Sequence, residues 1–275
     1  MILDPVLSEW LNLALRWIHV FAGIMWVGTT YYFTWLDARL SEEEKAAANT
    51  GKAAQVWMVH SGGFYVVERR KVPDIFSRAL HWFRWEAGTT WLSGFALLIV
   101  VYYLGGGALI DSDVRELSLL SAIGIGVGFI FLGGFIYDVM MRTPLVRNEK
   151  AFAAIAYVLI VVTSYALSQF LSYRAAYIHV GALFGTIMVA NVWMHILPAQ
   201  RRMIAGLKEG KQPDQRLAAQ AKLRSKHNTF MAVPVVFIMI SNHFPGVTYG
   251  QRYNWLILSI LILIGWVAAK FIRRA

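Results

Sequence analysis

The chain has 275 residues, 57% of them hydrophobic and 15% charged, with a net charge of +10 and no cysteine. A soluble domain of this size carries about a quarter charged residues, so the deficit points to an integral membrane protein and away from a soluble or nucleic-acid-binding one. The lack of cysteine excludes disulfides, iron–sulfur clusters, zinc–thiolate sites and a covalently attached c-type haem (C-x-x-C-H) within these residues.

Seven apolar runs lie near 11–36, 80–104, 117–140, 151–172, 174–197, 229–244 and 253–272, and each is close to the ~20 helical residues that cross a hydrocarbon core. The predicted fold is all-α, a polytopic transmembrane helical bundle forming one domain over residues 1–275. The sixth run is short and contains Pro234. Residues 53–68 (AAQVWMVHSGGFYVVE) are apolar but too short to span, with Gly62 and Gly63 in the middle, so they are predicted to be interfacial or re-entrant. The first ten residues hold Asp4 and Glu9 and no basic group, unlike the start of a cleavable signal peptide. Of the 26 Lys and Arg residues, 20 fall in the loops and terminus of one side and only Arg115, Arg174 and Arg252 on the other. That asymmetry predicts the N-terminus outside and the C-terminus in the cytoplasm.

This topology gives each histidine a depth. His19, His179 and His243 fall in an outer tier, His81, His195 and His227 in an inner one, and His60 in a cytoplasmic loop. Ionisable groups inside a bilayer face a bundle interior or a cofactor, and imidazole is a common ligand of haem iron. The expected cofactor is therefore one or two b-type haems, His19 pairing with His179 and His81 with His195. A single membrane histidine is as often a hydrogen-bonded or headgroup-level residue, and His227, between Lys226 and Asn228, reads that way. His19, Gly23, Trp26 and Thr30 share one helical face suited to a flat macrocycle or to helix packing. His179 and His195 are sixteen residues apart on one helix, roughly 24 Å, and cannot share an iron. Asn191 stands one turn before His195, where it is expected to fix the tautomer. Gly124-x-x-x-Gly128 is a helix-contact pattern.

At residues 81–94 (HWFRWEAGTTWLSG), a helix beginning near 80 puts Glu86, Thr89, Thr90, Ser93 and Leu97 on one face and His81, Arg84, Trp85 and Gly88 on another. A polar stripe entering a membrane points to a cavity, a cofactor or a proton path. Trp82 and Trp85 suit an interfacial belt. Upstream, VHSGGFYVVERRK sets His60, Phe64 and Tyr65 beside Arg69, Arg70 and Lys71. Such a group suits a planar anion at the cytoplasmic surface, or an interfacial helix on anionic lipid.

LRWIHVFAGIMWVGTTYYFTWLD, VHSGGFY, LHWFRWEAGTTWLSG, NVWMHILPAQ and ISNHFP together resemble the membrane domain of the bacterial urate hydroxylases, membrane-bound urate oxidases that carry a C-terminal cytochrome c domain. The resemblance implies oxidation of urate to 5-hydroxyisourate in purine catabolism, in the bacterial inner (cytoplasmic) membrane, with cytochrome c as electron acceptor. Haem c would then reside on a separate or missing cytochrome c domain. HVFAGIMWVG also resembles the first helix of small membrane haem proteins that include certain protoporphyrinogen oxidases. In the expected mechanism Arg84 clamps urate, Trp85 or Phe64 stacks on it, Glu86 or His60 is the base, and inner then outer haems carry electrons outward. Two other readings fit the same residues: a b-type haem electron-transfer subunit without substrate chemistry, and a proton-coupled transporter. Homo-oligomer formation is compatible with either.

Overall fold

Most helices start where a short polar side chain can hold the free N–H groups of the first turn. The computed structural model describes residues 4–47, 54–69, 80–105, 108–212 and 214–273. Helix α1 (Pro5–Ala47) opens with Asp4 Oδ1 accepting from the Leu7 N–H at 3.0 Å. Ser118, Asn148, Ser172 and Asp214 cap α3 (Leu119–Arg142), α4 (Glu149–Ser168), α5 (Tyr173–Ala190) and α7 (Gln215–Ser241) in the same way. Two helices loosen into π turns. The end of α2 (Trp85–Leu98) runs into one at Ile99–Tyr103. The other, Asn191–Ile196, joins α5 to α6 (Leu197–Lys208) just ahead of Pro198, which has no N–H to donate and crowds the preceding turn. The last helix is α8 (Asn254–Ile272).

Helix α5 is the centre of the bundle, packing against α2, α3, α4 and α7, while α8 closes on α4 and α7 and α1 lies along α2. Tyr177, His179, Val180 and Phe184 of α5 join Ile130, Ile238, Leu258 and Ile262 in the buried core. Close approach needs glycine at two points of α3: a Cβ on Gly126 would stand 2.5 Å from His179 Nε2, and one on Gly133 2.8 Å from a Leu183 methyl. Gly124 and Gly128 meet nothing within 4 Å. The contact glycines are therefore Gly126 and Gly133, because the face of α3 turned to α5 lies roughly opposite the one that carries Gly124 and Gly128. Outward faces stay apolar, as at Trp17, Phe21, Leu120, Phe135 and Ile264. Five helical stretches, Pro5–Ala47, Leu119–Arg142, Glu149–Ser168, Tyr173–Lys208 and Asn254–Ile272, are long and apolar enough to cross a membrane.

The bundle is all-α as expected, with one exception. Residues 55–68 form a hairpin, β1 (Gln55–His60) paired antiparallel with β2 (Gly63–Glu68). Ser61 and Gly62 both have positive φ (49° and 76°), the geometry of the two-residue turn that matches strand twist. Val56, Met58 and Val67 pack on Leu36 and Leu40 of α1. Arg69 ties the hairpin to α1 through Asp37 and through Glu44 at 2.6 Å. Two boundaries also differ. The helix expected from residue 80 begins at Trp85, and the basic stretch 198–228 is largely helical, α6 and α7 leaving only a short connection between them. Ala53, Arg70, Lys71 and Arg78 lie outside the described residues.

Candidate functional site

Charge counting assigns Arg224 to a loop, yet α7 carries it into the bundle, where it is 6% exposed. A buried guanidinium needs acceptors. Its Nη2 donates to Asp138 Oδ1 of α3 at 2.7 Å and its Nη1 to Asn191 Oδ1 at 2.7 Å. Asp138 also meets His195 Nε2 at 2.8 Å and Arg142 at 2.6 Å. Asn191 Nδ2 donates to Asn228 Oδ1 at 2.8 Å and to the Tyr137 hydroxyl at 3.1 Å, and Tyr137 meets His227 Nδ1 at 3.0 Å. One hydrogen-bonded chain thus runs from His195 through Asp138, Arg224, Asn191 and Tyr137 to His227.

His227 and Tyr137 line a cavity of about 660 Å³ between α3, α4, α5, α7 and α8, within the range of small-molecule sites. Much of its lining is apolar, including the buried Ile160, Leu183, Phe184 and Met231. The end near the basic connections carries Glu149, Lys150, Lys226, Lys270 and Arg273. Lys226 Nζ is 2.7 Å from Glu149 Oε2, and Arg273 donates to Thr229 Oγ1 at 3.1 Å. Phe152 lies over the His227 ring at 5.0 Å. His227 precedes the apolar part of α7, and burial, helped by the charges of Lys226 and Arg224, pushes its pKa down to about 4. The imidazole is therefore neutral at ordinary pH. The cavity can hold a small planar anion, with cations at one end, aromatic faces beside it and a neutral imidazole in its wall.

The residues expected from 81–94 fall into separate surroundings. Arg84 stands at the N-cap of α2 with its guanidinium 5.5 Å from the Trp85 ring, and Trp85 meets Trp193 edge-on at 5.5 Å. His81 precedes the helix and sits against Phe83, so the second face proposed for a helix beginning near 80 does not form. Glu86 lies in the first turn of α2, and its Oε2 is buried with no hydrogen-bond partner among the described residues, as is Trp193 Nε1. His60 and Phe64 belong to the hairpin, with Phe64 79% exposed. Among the described residues neither of them makes a hydrogen bond or ring contact with Arg84 or Glu86.

A haem held between paired imidazoles needs a free ring nitrogen on each. His19 suits one axial position: its Nδ1 lies 2.9 Å from the Thr90 carbonyl, the kind of contact that orients a ligating ring and leaves Nε2 open. His179 does not suit the other. It is fully buried, its Nδ1 is 2.7 Å from the Ala175 carbonyl, its Nε2 is 3.1 Å from the Tyr103 hydroxyl, and its ring lies on Gly126. His195 is engaged by Asp138, His81 packs on Phe83, and His243 is exposed after α7. A haem between His19 and His179, or between His81 and His195, does not fit these partners. Asn191 does not orient His195, because the π turn directs its amide to Arg224, Tyr137 and Asn228. Among the described residues no cluster of three or more His, Cys, Asp or Glu side chains gathers as a metal site.

Asp138, Arg224, Asn228, Tyr137 and His227 are the functional candidates that sequence reasoning missed. The available signal was Asp138, a carboxylate inside the third apolar run, since an acid there calls for a buried cation. No curated protein matches the chain, and no solved structure matches it. The profile of the urate oxidase N-terminal family matches residues 5–275, nearly the whole bundle just described. The chain belongs to the urate oxidase N-terminal family.

Proposed function

We propose that this membrane protein oxidises urate to 5-hydroxyisourate in purine catabolism and passes the electrons to a cytochrome c. The observation that carries the reading is the cavity between α3, α4, α5, α7 and α8, which joins a cationic end to the His227–Tyr137 pair. Urate is a planar, electron-rich anion. Lys150, Lys270 and Arg273 offset its charge, Phe152 and Trp266 offer aromatic faces, and His227 and Tyr137 supply polar contacts. Oxidation removes two electrons and two protons while water provides the new hydroxyl oxygen. Glu149, at the cavity's charged end, is placed to accept a proton. With seven spans in the bacterial cytoplasmic membrane and the basic end inside, the substrate enters from the cytoplasm.

The test uses the purified protein in lipid with urate and oxidised cytochrome c or an artificial dye. Loss of urate should accompany reduction of the acceptor, and His227→Gln should slow both about 100-fold, the effect of removing one well-placed polar group. Wild-type protein that binds no urate and reduces neither acceptor would overturn the reading.

A further inference from the structure

We propose that Arg224 is a positioning residue: acting through Asn191 and Tyr137, it fixes the His227 imidazole as a hydrogen-bond donor that presents Nε2–H to the cavity. The inference rests on the reading of that cavity as the urate site. It follows from counting donors and acceptors along the chain, whose two ends orient both amides and so make the Tyr137 oxygen an acceptor with its own hydrogen free to donate. Arg224 can only donate, so the atom it meets at 2.7 Å is the Asn191 oxygen. The Met188 carbonyl can only accept, so the atom 3.0 Å from it is the Asn228 nitrogen. Both amides are thereby oriented, and they agree, because Asn191 Nδ2 then faces Asn228 Oδ1 at 2.8 Å. The second Nδ2 hydrogen of Asn191 goes to the Tyr137 oxygen at 3.1 Å. The Tyr137 hydroxyl hydrogen is left for His227 Nδ1 at 3.0 Å. A neutral imidazole that accepts at Nδ1 carries its proton on Nε2.

The chemical consequence is a change of role. His227 cannot take a proton from substrate at a nitrogen that already bears one. It donates to a urate oxygen as negative charge gathers there, as a neutral imidazole can, and the base must be another group, with Glu149 at the same cavity. Each bond in the chain polarises the next, with a cation at its head.

Nitrogen-15 NMR of the full chain labelled at histidine, without urate, reads the tautomer directly, and His227→Gln identifies the signals. The expected result is an unprotonated Nδ1 and a protonated Nε2. Asn191→Leu removes the donor to Tyr137, whose oxygen can then accept from Nδ1–H, so the two tautomers should mix. Tyr137→Phe should mix them too and serves if Asn191→Leu fails to fold. Arg224→Lys keeps a donor-only partner and should retain the wild-type signal. In turnover, Asn191→Leu should lower kcat about 10- to 100-fold, the usual effect of losing a group that orients a functional histidine, with KM unchanged. A protonated Nδ1 in the wild type, or a tautomer indifferent to Asn191→Leu and Tyr137→Phe, overturns the proposal. Protein that shows the expected tautomer yet never consumes urate supports the positioning role and sinks the substrate reading, so the two failures are distinguishable.

Discussion

Arg224 of α7 and Asp138 of α3 meet at 2.7 Å, with the guanidinium side chain 8% exposed and the carboxylate 23%. The pair joins two helices far apart in sequence at the point where the polar chain begins. Arg224→Leu strips Asn191 of its donor and leaves Asp138 with Arg142 and His195 alone. Breaking a buried pair from one side costs about 3–5 kcal/mol, and the partial exposure of Asp138 favours the lower end. Asp138→Asn keeps an acceptor but leaves the more deeply buried guanidinium without its counter-charge, so its cost should be at least as large. Thermal unfolding in detergent should show a clear drop in Tm for both variants, and a negligible drop for Asp138→Asn would mean that the charge itself contributes nothing.

His227 gives a pH signature. Its folded pKa, about 4, is below the ordinary value of 6.5. Between those values the unfolded chain binds the extra proton and the folded one does not, so stability rises with pH across that window and is flat above it. Acidification from pH 6.5 toward 4 should therefore destabilise the wild type more than His227→Gln. Parallel pH–Tm curves for the two proteins would show that burial does not hold this ring neutral.

Glu86 and His227 compete for the chemistry. Glu86 Oε2 is buried with no partner among the described residues, whereas His227 stands in the wall of the cavity. Under the cavity assignment Glu86→Gln leaves urate turnover nearly intact and His227→Gln removes about two orders of magnitude. The opposite pattern in steady-state assays moves the site to the start of α2.

Packing on α3 should be sharply position-dependent. Gly126→Ala forces a methyl to 2.5 Å from His179 Nε2, while Gly124→Ala meets open space. Overpacking costs about 1–3 kcal/mol, so the first variant should melt earlier and the second should match the wild type or exceed it, since alanine favours helix. Matching melting curves would mean that α3 and α5 separate without penalty.

The helices are legible in the sequence because long apolar runs with a helical period admit little else in a bilayer. The hairpin is not. Trp57, Val59, Phe64 and Val66 on its outer face are as apolar as Val56, Met58 and Val67 on its inner one, and a period of two vanishes when both faces are alike. Of the candidate site, Asp138 and Asn191 are visible as polar residues in apolar runs. Arg224 and His227 are hidden by neighbours: beside Lys222, Lys226 and Asn228 they look like part of a solvated loop. Only the fold shows that α7 turns them inward while Lys222 reaches Asp37 at the surface.

The continuous rod of α5, its π turn and α6 runs from Tyr173 to Lys208, 36 residues, or roughly 54 Å at the helical rise. A bilayer's hydrocarbon core is ~30 Å thick, so the rod overhangs it by nearly half its length. A thinner bilayer makes such a rod lean, and leaning displaces the π turn near its middle, where Asn191 and His195 hold the neighbouring helices. Membrane thickness thereby becomes a mechanical input to the polar chain, and turnover in short-chain and long-chain phospholipid vesicles should differ.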